Sequence, residues 1–578
     1  MHNISLFLFL SGLFITTSAY SQSSNKEKTN KPQFVSPLDI PLFLSSNYGE
    51  YRAGHFHAGV DFKTQQVEGK NVYASDSGYV YRVVVLTGGY GNALYIKHPS
   101  GLITLYGHLS RFEPSIEKYV KEQQYHKKSF TVDLSPPENK FVFRKGQFIG
   151  WSGNSGGSFG AHLHFEVRDE SGSVPLNPLL YGFDVKDKTR PELMWLMLYS
   201  KDTSSSVNGI RQNLSVKIKH TAKRDFIVPD TISVSGNIGL GLETYDFLDN
   251  TTNQCGPASI HVKVDNRPYF VCNIDSVSFD AANYINSYYD YGEMLRSGRK
   301  FQKLFIDPNN SLSIFKKAEN RGILRFTDTK VHEIEITVTD TYGNQSELTF
   351  YLRPVHHIPE EIQADTTVAG HFNYDSLNVF ENGQVRVSIP KNSLFDDIDF
   401  QYKETQNDSF RYSPVHSIHN RYTPLLSSYI LSIKAAELPE TLRHKAYLAL
   451  RGSKGSWICQ GGEYKNGYVT GRVRTFGDYI IAIDTVAPVI RPVSFKPQAK
   501  YKPDDVISFV IADTLSGIQK YSGYIDKSWC LFEYDAKNDL LSYKMDKSRL
   551  TRDRLHHLEI IVTDNKGNTA KYNGSFYF

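Results

Sequence analysis

The chain has 578 residues, and at about 150 residues per domain this length predicts roughly four domains. Hydrophobic residues make up 40% of the chain and charged residues 22%, so disorder is not expected, and the ordinary counts of 41 glycines and 24 prolines exclude a low-complexity protein. The net charge of +4 argues against a nucleic-acid partner, and the 37 tyrosines and 35 phenylalanines favour a β-rich protein.

The first predicted element is a secretory signal peptide at residues 1–21. Residues 4–15 (ISLFLFLSGLFI) form an apolar run shorter than the roughly 20 residues needed to span a bilayer. The small residues that follow end at Ser21 and fit cleavage before Gln22. We therefore expect an exported protein of the periplasm, the cell envelope or the extracellular space, with no membrane insertion after cleavage. An uncleaved anchor is the alternative.

A compact antiparallel β domain is predicted over residues 36–185. Short apolar stretches there alternate with glycine-containing turns, as in GQFIGWSGNSG. An insertion at 112–144 interrupts this pattern, because apolar residues from Ile116 to Val120 recur at helical spacing after a proline. The insertion is expected to form a short helix followed by strands.

A repeated pattern organises the remaining residues. The segments DKTRP and DTVAP are similar linkers, and each opens a stretch rich in predicted strands. Both stretches end in a hairpin whose turn reads Asp-x-x-Gly-Asn. We predict three β-sandwiches, at 187–354, 355–483 and 484–578. The first and the last resemble bacterial immunoglobulin-like domains.

The four cysteines are too few for a disulfide scaffold, and no Cys-x-x-Cys pair indicates a zinc site built from thiolates. A bridge between Cys255 and Cys272 is left open by the sequence. The candidate site residues lie instead in the first β domain.

The segment HAGVD places His57 and Asp61, both suitable zinc ligands, four residues apart. On a straight strand their positions would be roughly 13 Å apart, which is too far for two ligands of one ion. The chain must therefore bend between them, and Gly59 permits the bend.

Two further motifs add histidines. GAHLHFEV alternates like a half-buried strand, so that His162, His164 and Glu166 lie on one face. In YGHLS, His108 follows a glycine at the end of an apolar strand. Glu166 is expected either to orient a histidine or to form a surface salt bridge.

Taken in order, HxGxD, ASDSGYV, GNALYIKHPSGLITLYGHLS, GQFIGWSGNSG and GAHLHFEVR resemble the motifs of the lysostaphin/LytM-type zinc endopeptidases, which cleave peptide cross-links in peptidoglycan. The resemblance covers about residues 50–180. It implies an all-β chain that begins with a LytM-like antiparallel sheet. It also implies that Zn²⁺ is bound by His57, Asp61 and His164.

The same resemblance implies that His162 and His108 are catalytic histidines that do not bind the metal. Three protein ligands leave a fourth position for water, which is typical of catalytic zinc. We expect His162 to act as the base toward this zinc-activated water and His108 to stabilise the oxyanion, and the reverse assignment stays open.

The expected function is hydrolysis of peptidoglycan stem peptides by a secreted zinc endopeptidase. One alternative is a weak or inactive LytM-type regulator of other wall hydrolases, and a second is a zinc protease acting on proteins. A third is an adhesin or glycan binder whose β-sandwiches contact envelope proteins or glycans.

The insertion at 112–144 is the main departure from the family pattern. It begins just after His108 and ends just before the glycine-rich turn that precedes His162. It should therefore lie beside the cleft, where a helix with several lysines would line or cap the groove. A solvated decoration without a role is the alternative.

Overall fold

The structure, a computed structural model, describes residues 31–221, 226–356, 368–406 and 412–578. The predicted signal peptide, residues 1–21, lies outside the described residues. Strands account for 45% of the structure and helices for 9%, which confirms the all-β fold class. Within the described ranges, no helix has the length and apolar character needed to cross a membrane.

The N-terminal domain is built on one antiparallel sheet in the order β1-β4-β13-β8-β7-β6-β10, beside a smaller sheet of β5, β12 and β9. Its elements are β1 (Leu44–Ser46), β2 (Tyr51–Arg52), β3 (His55–Phe56), β4 (Val60–Lys63), β5 (Asn71–Tyr73), β6 (Gly78–Val85), β7 (Asn92–Lys97), β8 (Ile103–Leu109), β9 (Arg111–Phe112), α1 (Pro114–Lys127), β10 (Val132–Leu134), β11 (Val142–Phe143), β12 (Phe148–Trp151), β13 (His162–Arg168), β14 (Pro175–Leu176) and the 3-10 helix Pro178–Tyr181.

Strand β13 lies in the middle of the main sheet, between β4 and β8. Its register places His164 opposite Asp61 on β4 and opposite Gly107 on β8. Leu163 and Phe165 alternate with the polar residues and are fully buried in the apolar core. The sheet therefore brings together residues that are far apart in the sequence.

The half-buried character predicted for β13 is wrong, because its polar face is buried too. Glu166 is fully buried, and Arg168 is 7% exposed. The guanidinium of Arg168 lies 4.6 Å from the ring of Phe279, which belongs to the next domain. The alternation of polar and apolar residues gave no sign that another domain contacts this face.

The predicted insertion contains helix α1. The Glu113 carboxylate accepts hydrogen bonds from the amides of Ser115 and Ile116, which caps the first turn, and Pro114 occupies the first helical position. Lys128 ends the helix in the left-handed conformation. After the helix, β10 and β11 pair with β6, so the insertion extends the main sheet.

The rest of the chain is described with the predicted boundaries, as a first module (187–354), a second module (355–483) and a third module (484–578). In each module the described strands form separate sheets that share one apolar core. The boundaries themselves and the immunoglobulin-like assignment stay predictions. The cysteines are free thiols, so Cys255 and Cys272 do not form the bridge that the sequence left open.

The first-module strands are Glu192–Ser200, Ser206–Val207, Leu214–Lys217, Lys219–His220, Phe226–Ile227, Ile232–Ser235, Ile238–Tyr245, Ser259–Val264, Arg267–Asn273, Gln302–Lys303, Phe315–Ala318, His332–Thr339 and Gln345–Pro354. Its helices are Phe279–Tyr284, Ile285–Tyr288, Tyr291–Ser297 and Glu319–Gly322. The second module has the helix Glu440–Lys445 and the strands Val368–Phe372, Asn378–Glu381, Val385–Ile389, Ile398–Thr405, Val415–Ile418, Tyr429–Lys434, Ala446–Arg451, Trp457–Cys459, Glu463–Lys465, Tyr468–Val473 and Gly477–Ile483. The third-module strands are Val489–Pro492, Val506–Ala512, Ile518–Ile525, Ser528–Cys530, Glu533–Asp535, Leu540–Lys544, Leu555–Asp564 and Thr569–Tyr577.

Candidate active site

Three buried side chains converge on one point of the main sheet. His57 precedes β4, Asp61 lies on β4, and His164 lies on β13. Nε2 of His57 is 3.2 Å from both Oδ1 of Asp61 and Nδ1 of His164. The Asp61 oxygen is 2.8 Å from the His164 nitrogen. The structure thus gathers two imidazole nitrogens and one carboxylate oxygen within the reach of a single ion.

The chain bends before β4, as the spacing of His57 and Asp61 requires. Strand β3 ends at Phe56 and β4 begins at Val60, so the intervening residues lie outside the ladder. A Cβ atom on Gly59 would lie 2.2 Å from the carbonyl oxygen of Phe165. Gly59 is therefore needed for the close approach of this bend to β13, a constraint that the sequence did not reveal.

Hydrogen bonds at the outer ring nitrogens orient both histidines of the cluster. Nδ1 of His57 lies 2.7 Å from the carbonyl oxygen of Asn47, which can only accept, so Nδ1–H donates and Nε2 keeps its lone pair. Nε2 of His164 lies 2.9 Å from Oε1 of Glu166. Glu166 also binds Nε of Arg168 at 2.6 Å, so it orients a histidine and forms an ion pair that is buried rather than at the surface.

Attraction between the carboxylates and the neighbouring histidines and arginine shifts the pKa values within the cluster. Burial alone would raise the pKa of Asp61, but the neighbouring histidines hold it well below its usual range. Burial would lower the pKa of His164, yet the carboxylates of Asp61 and Glu166 raise it to about 9. Burial also opposes ionisation of Glu166, and the nearby Arg168 and His164 lower its pKa to about 2. Both carboxylates are thus ionised at neutral pH.

The donor set fits a zinc ion. Two imidazole nitrogens and one carboxylate oxygen are common zinc ligands, and three such ligands are typical of a catalytic site. Each histidine directs one ring nitrogen at the cluster while its other nitrogen is held by an acceptor. The proton on His164 would have to leave when a metal binds, which makes metal affinity pH-dependent.

His162 and His108 lie beside this cluster, with their ring centroids 4.8 Å apart. Nδ1 of His162 is 2.8 Å from the Gly160 carbonyl oxygen, and Nδ1 of His108 is 2.8 Å from the Ser155 carbonyl oxygen. Each Nδ1–H therefore donates, and each Nε2 is left as an acceptor. Nε2 of His162 lies 3.5 Å from the Asp61 carboxylate, so it faces the cluster.

The backbone of His108 has a positive φ of 58°, which is uncommon for a residue with a side chain. The preceding Gly107 lies opposite His164, and a Cβ there would lie 3.4 Å from the His164 ring. Burial and the two neighbouring histidines lower the pKa of His108 to about 3, so its ring is neutral at pH 7. The roles of the five candidate residues nevertheless stay predictions.

Sequence reasoning missed residues that support the cluster. Asn47 contributes through its backbone carbonyl, for which no sequence signal exists. Arg52 lies with its guanidinium 3.5 Å from Oδ2 of Asp61, and its place just before the HxGxD motif was an available signal. The ring of Tyr90 packs 5.3 Å from that of His164.

Helix α1 contacts the third module. Tyr125 packs edge-on against Trp529 with ring centroids 5.4 Å apart, and the Arg549 guanidinium lies 3.3 Å from the Tyr125 ring centroid. Nζ of Lys121 donates to the Asp546 carboxylate at 2.8 Å. The insertion is therefore not simply solvated, because Lys121 and Tyr125 of its helix contact another module.

The third module also reaches the loop that holds His108. Nζ of Lys537 donates to the carbonyl of Asn154, the residue before Ser155. The first module contacts the segment that holds His57. The Asn47 side chain donates to the Gly256 carbonyl oxygen at 2.8 Å and accepts from the Gly256 amide at 2.9 Å.

Two segments of the chain match known families. Residues 55–126 match the model of peptidase family M23, and residues 369–484 match that of a Zu5-like domain. A 136-residue stretch is 32% identical to the DD-carboxypeptidase/endopeptidase Mpg of Neisseria meningitidis serogroup B, covering 24% of this chain and 25% of that protein. A 123-residue stretch is 33% identical to an uncharacterized metalloprotease of Haemophilus influenzae, covering 21% of this chain and 20% of that protein.

Among solved structures, a mutant catalytic domain of the prophage-encoded M23 protein EnpA from Enterococcus faecalis is 27% identical. The match covers 26% of this chain and 98% of the EnpA domain, with a TM-score of 0.19. The chain spans about a quarter of the length of the Neisseria relative.

The N-terminal domain is therefore similar to domains of known metallopeptidases. The match to family M23 lies at residues 55–126, and the predicted resemblance to lysostaphin/LytM-type peptidases is confirmed.

Proposed function

We propose that the protein is an exported zinc endopeptidase that hydrolyses peptide cross-links of bacterial peptidoglycan. The observation that carries the proposal is the convergence of His57, Asp61 and His164 beside two further histidines that both present Nε2 as an acceptor. The relatives named as an endopeptidase and a metalloprotease support the reaction class.

His57, Asp61 and His164 would hold the zinc ion. When bound, zinc would supply Lewis-acid polarisation of the scissile carbonyl and a nucleophilic water at neutral pH. Nε2 of His162 would accept the proton of the attacking water, since its Nδ1–H is already committed to the Gly160 carbonyl. Glu166 would keep His164 oriented.

His108 would act on the other reacting atoms. Its neutral ring is fixed by the Ser155 carbonyl, so its Nε2 would take up a proton released by the attacking water. The protonated Nε2 would then stabilise the oxyanion or pass this proton to the leaving amine. The exchange of roles between His108 and His162 stays open, because both rings have the same arrangement of hydrogen bonds.

The substrate proposed is the peptide stem of peptidoglycan, and the location proposed is the periplasm or cell envelope. The test is digestion of purified sacculi of known stem chemistry by the zinc-loaded full chain, with the products identified by mass spectrometry. His162→Ala and His108→Ala should retain one equivalent of zinc and lose about 10²–10⁴-fold in turnover.

Three results would contradict parts of this proposal. Intact sacculi after incubation with zinc-loaded wild-type protein would favour the regulator alternative. Near-normal turnover in either histidine variant would remove that residue from the mechanism. Unchanged zinc content in His164→Ala would overturn the ligand assignment, and loss of zinc in His162→Ala would mean that the two histidines of β13 are exchanged.

A further inference from the structure

The linker and the hairpin turn of the first module meet at a cluster of three aspartates. Asp187 lies in the linker, Asp246 follows the strand Ile238–Tyr245, and Asp340 begins the Asp-x-x-Gly-Asn turn. One carboxylate oxygen from each lies within 4.8 Å of the others. The third module has a matching cluster, formed by Asp484, Asp513 and Asp564.

Two oxygens of the first-module cluster are buried without a hydrogen-bond partner among the described residues. They are Oδ1 of Asp246 and Oδ2 of Asp187. Asp246 is only 3% exposed, so water cannot readily solvate its charge. Because a buried carboxylate is strongly disfavoured unless it is paired or coordinates a metal, these oxygens indicate a missing positive ligand.

In the matching cluster of the third module, every buried carboxylate oxygen has a hydrogen-bond partner. Oδ2 of Asp484 accepts from both the amide and the hydroxyl of Ser516. Lys566, in the hairpin turn, places a positive charge near Asp484, and its ammonium group donates to the Gly462 carbonyl oxygen at 2.8 Å. In the first module the corresponding offsets from the strand and turn aspartates carry Asp249 and Tyr342 instead of the serine and the lysine.

The charge balance of the two clusters therefore differs. The first module adds a carboxylate where the third has a hydroxyl, and it has a phenol where the third has an ammonium group. Burial, and after it the charges of Asp340 and Asp187, raise the pKa of Asp246 to about 8. With no cation bound, the cluster therefore favours the protonated form of Asp246, because none of its own side chains supplies a positive charge.

We propose that Asp187, Asp246 and Asp340 bind a calcium ion. All three side chains offer carboxylate oxygens, the ligand type that hard divalent cations prefer. Calcium accepts six to eight oxygens in irregular geometry, so backbone carbonyls or waters would complete its shell, whereas magnesium requires a near-ideal octahedron. The ion would fasten the linker to the first module.

The position of the site gives calcium a structural role. Leu248 and Cys255, which flank the loop that follows Asp246, are buried in the apolar core of the N-terminal domain. Asp246 and Cys255 also exchange backbone hydrogen bonds of 2.8 and 2.9 Å. An ion at Asp246 would therefore stabilise the junction between the peptidase domain and the first module.

The test is calcium titration of the zinc-saturated full chain by isothermal titration calorimetry, with thermal melts in calcium and in chelator. Wild-type protein should bind one equivalent of calcium and melt at a higher temperature with calcium than without. Asp246→Asn should weaken calcium binding at least tenfold. Asp513→Asn, the matched change in the third module, should leave calcium binding unchanged.

The thermal melts give a second test, in which Asp246→Asn should have opposite effects on the melting temperature with and without calcium. Without calcium, Asp246→Asn should melt at or above the wild-type temperature, because it removes repulsion among the three carboxylates, and with calcium the order should reverse. If circular dichroism shows that this variant does not fold, Asp187→Asn, at a half-buried linker position, must show the same loss. Absence of calcium binding, equal binding by the variants, a preference for magnesium, or loss of binding in Asp513→Asn would each overturn the proposal.

Discussion

Replacing Glu166 with glutamine tests whether the buried carboxylate tunes the candidate metal site or only fills space. Glu166 is fully buried, accepts from Nε2 of His164 at 2.9 Å and pairs with Arg168 at 2.6 Å. Glutamine keeps the shape and one acceptor oxygen but removes the charge. It also directs an amide N–H₂ group at either His164 or Arg168, each of which is itself a donor.

Two consequences follow for Glu166→Gln, and they have different magnitudes. Breaking a buried ion pair by removing one partner costs about 3–5 kcal/mol of folding stability. Loss of a carboxylate that orients a metal-binding histidine typically lowers metal affinity about 10–100-fold, which corresponds to about 1.4–2.8 kcal/mol. We therefore expect a variant that folds less stably and also binds zinc more weakly.

Urea unfolding would measure the stability, and competition with a chelator of known affinity would measure zinc binding by the folded protein. Asp133→Asn serves as the matched control, because it removes a carboxylate from the Arg82 ion pair at the surface, where both side chains are at least 35% exposed. The control should lose no more than about 1 kcal/mol and keep its zinc affinity. If Glu166→Gln lowers stability but leaves zinc affinity unchanged, the carboxylate does not tune the metal site.

Three further predictions concern the bend, the helix contact and the insertion. Gly59→Ala should cost about 1–3 kcal/mol in urea unfolding because its Cβ would lie 2.2 Å from a β13 carbonyl oxygen, whereas Gly160→Ala, with nothing within 4 Å, should be close to neutral. Burial would raise the pKa of Asp546, but Lys121 and a neighbouring serine lower it to about 2, below the unfolded value of about 3.9. This contact should therefore stabilise the chain fully above about pH 5 and be lost as the pH falls toward 2, and Asp546→Asn should flatten that part of a plot of urea midpoint against pH. Replacing residues 113–140 with a short Gly/Ser link should leave zinc content intact and change the rate of sacculus digestion; an unchanged rate and product pattern would make the insertion a decoration.

Local spacing rules predict part of the geometry of the candidate cluster. Alternation along β13 places His162 and His164 on one face, and the separation of His57 and Asp61 requires a bend that the structure contains. The meeting of the two segments could not be derived from periodicity, because it depends on the register between β4 and β13. It came from the resemblance to a known family.

What the sequence could not predict are contacts that involve backbone atoms or distant modules. The strained backbone of His108 follows no residue preference, and the acceptors that fix the histidine rings are main-chain carbonyls, which every residue has. The burial of Arg168 on β13 involves Phe279 of the first module. Likewise, α1 was predicted beside the cleft, but its partner Trp529 lies some four hundred residues away in the chain.

These contacts change how the C-terminal modules relate to the candidate site. The carbonyl of Asn47 holds the ring of His57, and the side chain of the same residue is bound by Gly256 of the first module. The loop whose Ser155 carbonyl holds the ring of His108 is bound, one residue earlier, by a lysine of the third module. Two of the backbone acceptors that fix the site histidines thus lie in segments held by different modules. The modules therefore brace the N-terminal domain at its candidate site, rather than forming an array that only trails from its C-terminal end.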